Sequence, residues 1–136
     1  MAKISTKDWR NLPIEKWNVT TFHSYLTELT ADHFGVEYAP TGSGSKSQRW
    51  AREKGMMKQA QERYGNEVLR RFIEMCVAEY KPKAQYPYVS FTFMYSYMDR
   101  NFAKAQAELA AQNRRKEAEE HAREQMADVD ELIDYL

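Results

Sequence analysis

Between Met56 and Met98 the chain gathers its most apolar residues, and their spacing limits what it can fold into. Val68, Leu69, Phe72, Ile73, Cys76, Val77 and Tyr80 recur every three or four positions, which places them on one broad helical face. This helix is expected from Glu67 to Tyr80. Lys81-Pro82 ends it, because proline lacks the amide a helix needs. It begins at Tyr64-Gly65-Asn66, where glycine closes one helix and asparagine suits the cap of the next. That junction sets the angle between the two helices.

The helix before the junction, expected from Ser47 to Tyr64, has a narrow apolar stripe of Trp50, Met57, Ala60 or Gln61, and Tyr64. Its remaining surface is largely Lys and Arg. Upstream, Phe22, Tyr25, Leu26, Leu29 and His33 mark a helix from Val19 to Phe34, capped by Asn18 or Thr20 and closed by Gly35. Ser5 and Asp8 form a capping signal for one or two turns before Pro13. Trp9, Leu12, Ile14 and Trp17 then pack this arm onto the body. Downstream, Phe91 to Met98 alternates aromatics in a way that also suits a strand. Helix is preferred, capped by Ser90, because Met94, Met98, Phe102, Ala105 and Leu109 continue at helical spacing. Gln112 to Gln125 is almost wholly polar and does not belong to a core. It is a solvated helical extension or a linker. The expected fold is all-α, a compact four- to five-helix bundle with a long charged C-terminal helical extension. The helical domain spans 1–110, and 111–136 is a tether ending in an acidic amphipathic segment.

At 136 residues this is one domain's worth of chain. Charged residues make up 29% and mean hydropathy is −0.81, yet 13% aromatics argue against disorder. No run approaches the roughly 20 apolar residues of a membrane span. MAKISTKDWRN lacks the apolar core of a signal peptide, so a cytoplasmic location is expected, the host cytoplasm for a phage-encoded chain.

Catalytic and metal chemistry are not expected. His23, His33, His121 and the single cysteine, Cys76, show no ligand spacing, and His23 and His33 lie roughly 80° apart around their helix. Cys76 reads as a buried structural thiol, and Glu74 and Glu79 as helix-surface residues. Ser90 lacks a nucleophile elbow and is explained by capping. Thr41 to Ser47, TGSGSKS, departs from a phosphate-binding loop at both glycines. It is a linker, or an anion-contacting loop with Lys46 and Arg49 beside free amides. No cofactor is implied.

Charge is more informative. From Lys46 to Arg71 eight basic residues face three acidic ones, while Ala127 to Leu136 holds four acidic residues and no basic one. Lys46, Arg49, Arg52, Lys54, Lys58 and Arg63 are the candidate phosphate contacts, with little sequence preference. Trp50, or tyrosines near Tyr86, Tyr88 and Tyr95, would add base stacking on single strands. The competing reading is a solvated face partly neutralised by Glu53 and Glu62. In the tail, Val129, Leu132, Ile133 and Leu136 form an apolar stripe among carboxylates, suited to docking on a partner protein or to packing back on the core.

Met57 to Ile73 (MKQAQERYGNEVLRRFI), followed by Tyr86-Pro87-Tyr88-Val89-Ser90-Phe91, resembles modules of phage and Firmicutes replication-initiation proteins, notably the DnaD-like C-terminal domain of replisome organisers. Phe34 to Pro40 is similar to phage replication accessory proteins, so the likeness covers about residues 34–98. The closing helix departs from the DnaD pattern, with Phe93-Met94 and Tyr97-Met98 where Ile and Trp belong. The resemblance implies a non-enzymatic DNA-replication accessory protein that touches DNA and the replicative helicase. The alternatives are an inhibitor or adaptor acting on a host enzyme without nucleic-acid contact, and a regulator using a helix-turn-helix.

Overall fold

Local capping decides where the helices begin in the computed structural model, which describes residues 4–134. Asn18 accepts a hydrogen bond from the Thr21 amide and Thr21 returns one from the Asn18 amide, so α1 runs Val19–Phe34. Gly35 closes it in the left-handed region, at φ 72° and ψ 20°. Ser45 and Gln48 form a second such box and start α2 at Lys46, one residue earlier than the sequence suggested. α2 spans Lys46–Tyr64 and α3 spans Asn66–Glu79. Gly65 serves both, ending one helix and preceding the next at φ 84° and ψ 164°. Asn66 is therefore not a cap but the first residue of α3. Its amide group donates to the carbonyls of Ile14 and Trp17 and ties the N-terminal arm to the α2–α3 junction.

That arm forms turns and a single 3-10 turn at Ile14–Lys16, with no α-helix after Ser5. The Ser5 hydroxyl accepts from the Lys7 amide and the Ser5 carbonyl from the Asp8 amide, while the Asp8 carboxylate accepts from the Asn11 side chain. Trp17 is buried, and Trp9, Leu12 and Ile14 pack against the core. Arg70 lies over the rings of Trp9, Trp17 and Tyr25 at 5.0–5.8 Å, where cation–π attraction adds to packing. Glu74, expected as a plain surface residue, accepts from the Tyr25 hydroxyl, Arg70 and Arg71 and so joins α1 to α3.

The expected fifth helix is two helices. α4 runs Phe91–Tyr97 and α5 runs Arg100–Asp134. Met98 and Asp99 form the break, and their carbonyls accept from the Asn101 and Phe102 amides, both at 3.0 Å. Tertiary contacts exploit it. Phe102 stacks between Tyr64 and Phe72, with centroids 4.0 and 3.6 Å away. Asn101 is buried and donates to Glu79 and to the Cys76 sulfur, and Glu79 also pairs with Arg100. Glu79 is thus an α3–α5 tie, not a bare surface carboxylate.

The described residues are all-helical, with no strand and no helix long and apolar enough to cross a membrane. They divide into two units inside α5, between Ala105 and Gln106. The first holds the buried core, a bundle of α1–α4 and the opening turns of α5, centred on Phe22, Leu26, Met57, Leu69, Phe72 and Met94. The second is a single helix with Met126, Val129, Leu132 and Ile133 exposed. Leu136, the last member of that stripe, lies outside the described residues. Sixteen of the twenty basic residues but only eleven of the twenty acidic ones precede Gln106, so the first unit carries a cationic surplus of five and the second an equal anionic one.

Candidate nucleic-acid interface

α2 displays the six candidate basic residues, but not on one face. At about 100° per residue, Lys54 and Lys58 leave one flank of the helix. Arg49, Arg52 and Arg63 leave the other, roughly 160° away, with Gly55 and Glu62 on the exposed line between. The expectation of a single basic surface is corrected accordingly.

The residues also differ in what holds them. Arg49 donates to the carbonyl of Gly44 at 2.8 Å, and Arg52 to that of Ser43 at 2.9 Å. Both guanidinium groups are used to fold the Gly-Ser loop against α2. Their acceptors are neutral, so the positive charge remains. Lys58 lies 4.0 Å from Glu62, an exposed pair of small energetic weight. Arg63 sits over the ring of Tyr64 at 5.3 Å.

Lys46 and Lys54 are different. With Thr20, His23, Ser47 and Trp50 they line an open cleft of about 650 Å³ between α1 and the start of α2. No carboxylate lines it. The amides of Lys46 and Ser47 belong to the first helical turn, where the backbone has no internal acceptor to offer them, and the helix dipole adds positive potential there. Trp50 is half-buried, with its ring edge-on to His23 at 5.1 Å.

Behind the cleft lies a polar network that reverses the expected role of Glu53. That residue is fully buried, and its carboxylate accepts from the Tyr38 hydroxyl and from His23 Nε2, the latter at 2.8 Å. The Tyr38 oxygen accepts in turn from the Phe91 amide at 2.9 Å. Burial, and then the adjacent Glu53 charge, hold the Tyr38 hydroxyl well above the usual tyrosine range. Glu53 therefore does not neutralise the outer face of α2. It fixes α1, the 36–40 segment and α4 to one another. His23, only 7% exposed, has an Nδ1 atom with no hydrogen-bond partner. A signal for this was present in the sequence: Glu53 falls between Trp50 and Met57 at helical spacing, within the apolar stripe itself.

Of the stacking candidates, Tyr86 is exposed and Tyr88 half-buried. Tyr95 is also half-buried and packs against Phe91 and Phe102. Cys76 is buried, and burial pushes its thiol from 9.0 to about 11, which leaves it unreactive at neutral pH. No group of three His, Cys, Asp or Glu side chains among the described residues is arranged to hold a metal ion. No family model, curated protein or solved structure matches the chain.

Proposed function

We propose that this chain is a non-enzymatic DNA-replication accessory protein, of helicase-loader or replisome-organiser type, that holds DNA with its first unit and a partner protein with its C-terminal segment. One observation carries the DNA half of the reading. At the start of α2, two ammonium groups flank a half-buried indole beside first-turn amides, in a cleft with no carboxylate in its lining. Such a site takes phosphate oxygens without reading base edges, so binding is insensitive to sequence and weakens as salt rises. Lys46 and Lys54 are its leading contacts. Lys58 and Arg63 add to the field from either flank, and Arg49 and Arg52 do so while holding the loop. The replication setting, with the replicative helicase as partner, rests on the likeness of residues 34–98 to phage and Firmicutes replication proteins.

Fluorescence anisotropy with labelled DNA tests this. The chain should bind at about 50 mM salt and release by about 200 mM. Joint Lys46→Ala and Lys54→Ala substitution should lower the salt slope by about 2 for any DNA sequence. No binding at the lower salt would sink the DNA half.

The exposed stripe Val129, Leu132 and Ile133, set among Asp128, Asp130, Glu131 and Asp134, favours a second reading. In it the chain is an inhibitor or adaptor that docks on a host enzyme and never touches nucleic acid. Capture of a partner from host extract by the full chain, lost when residues 127–136 are removed and unaffected by nuclease, together with absent DNA binding, would select it.

A further inference from the structure

Tyr80, Tyr86, Tyr88, Phe93 and Tyr97 line a second cleft in the first unit, of about 420 Å³, with Lys83 beside them. Tyr86 is 62% exposed, Phe93 43% and Tyr97 70%, so burial does not account for their presence. Nor are the rings loosely placed. The Tyr86 amide donates to the Lys83 carbonyl and its own carbonyl accepts from the Lys83 amide, both at 3.0 Å. The Tyr86 carbonyl also accepts from the Tyr80 hydroxyl at 2.8 Å. Tyr88 is anchored by its hydroxyl, which donates to the Ala39 carbonyl at 2.6 Å. Phe93 packs edge-on to Tyr80 at 6.1 Å and against Tyr97 at 5.0 Å. Hydrogen bonds from the Tyr80 and Tyr88 hydroxyls to backbone carbonyls, and ring contacts at Phe93, thus hold these rings in place, and the Tyr86 and Tyr97 rings stay exposed.

We infer that this cleft is a stacking platform for unpaired bases of single-stranded nucleic acid. The inference rests on the DNA-binding reading above and deepens it by naming the strand state. Charge favours this occupant. Lys83 lines the cleft and no carboxylate does, while Glu79, on the neighbouring helix, is already paired with Arg100. Duplex DNA keeps its base faces stacked and cannot offer them to tyrosines, whereas every unpaired base has a free face. The two clefts are also close. Thr41 lines this one and Lys46 the other, five residues apart and so less than about 18 Å even along an extended chain. The clefts thus approach each other at the 41–46 loop, and a strand that runs along it meets aromatic rings at one end and the Lys46 ammonium group at the other. A proline-rich peptide also fits aromatic grooves, but it offers nothing to the cationic surroundings.

The test measures anisotropy of a labelled oligothymidine of roughly 15 nucleotides and of a blunt-ended two-strand duplex, at low salt. Tyr86→Ala and Tyr97→Ala should each weaken the single strand at least about fivefold and the duplex less than about twofold. Tyr97→Phe should keep the affinity, since its ring is retained, and unchanged thermal melting will show that the variants are folded. Equal losses on both substrates, or no loss on the single strand, overturn the inference while leaving the DNA reading standing. Failure of the unmodified chain to bind either substrate removes both. Binding of a proline-rich peptide that the alanine variants abolish, with single-strand affinity intact, overturns it in favour of peptide recognition.

Discussion

Glu53 is accommodated inside the bundle because two partners from distant parts of the chain converge on it, His23 and Tyr38. Removing one member of such a set leaves the others buried without partners, which costs far more than the set contributes in net stability. Glu53→Ala should therefore destabilise the fold by about 3–5 kcal/mol. Tyr38→Phe, which strips one donor from the carboxylate and the acceptor of the Phe91 amide, should cost about 1.5–3 kcal/mol. Urea unfolding measures both, and shifts within about 0.5 kcal/mol, as for an ordinary surface site, would show that the network is not structural. The same residues predict an alkaline limit. Tyr38 is held above the usual range by burial and by Glu53, Tyr25 by burial and by Glu74, and Cys76 is raised to about 11. Each keeps its proton in the folded chain at a pH where the unfolded chain releases it. Stability is thus complete below about pH 9 and falls as pH rises further, steepening above about 10. In Tyr38→Phe the fall above pH 10 should be shallower, as melting temperatures across that range will show.

Helix ends separate two kinds of glycine. Gly35 has the backbone of an ordinary left-handed cap, which asparagine also adopts. Gly65 combines positive φ with ψ 164°, a region that glycine alone occupies readily. An added Cβ would meet nothing within 4 Å at either site, so backbone preference alone sets the cost. Gly35→Asn should be better tolerated than Gly35→Ala. At Gly65 both substitutions should cost about 1–3 kcal/mol, and a Gly65→Asn variant as stable as the parent would refute this account of the α2–α3 junction. The break between α4 and α5 was not legible, because Met94, Met98, Phe102 and Ala105 keep one helical register across it. Only the seat of Phe102 between Tyr64 and Phe72, and the burial of Asn101, reveal it.

Across the whole molecule, a chain of zero net charge consists of a cationic unit and an anionic one. The sequence already showed this polarity, since charge counts need no coordinates. Helical periodicity also divides the α2 charges between two flanks, but only the folded chain shows that two of the arginines hold a loop. Among the described residues, no core residue lies beyond Ala105. A chain ending at Gln112 should accordingly keep its thermal midpoint within about 2 °C, a loss smaller than about 0.5 kcal/mol for a core of this size. A larger drop in a calorimetric melt would mean that the acidic helix contributes to the bundle.

The sequence by itself determined α1, α2 and α3, most of their boundaries and the apolar faces of α1 and α3. Those features depend on contacts three or four residues apart and on caps read from single side chains. The tertiary structure decided which polar residues are exposed and which are interior. Glu53 looks like one more charge on a basic helix until His23, thirty residues earlier, and Tyr38 are folded onto it. The aromatic cleft likewise joins Tyr86 and Tyr88, which the sequence offered as stacking rings, to Tyr80, Phe93 and Tyr97, which it offered only as apolar or aromatic content of two helices. Helical periodicity is local, whereas desolvation and partner choice are set by residues far apart in the chain.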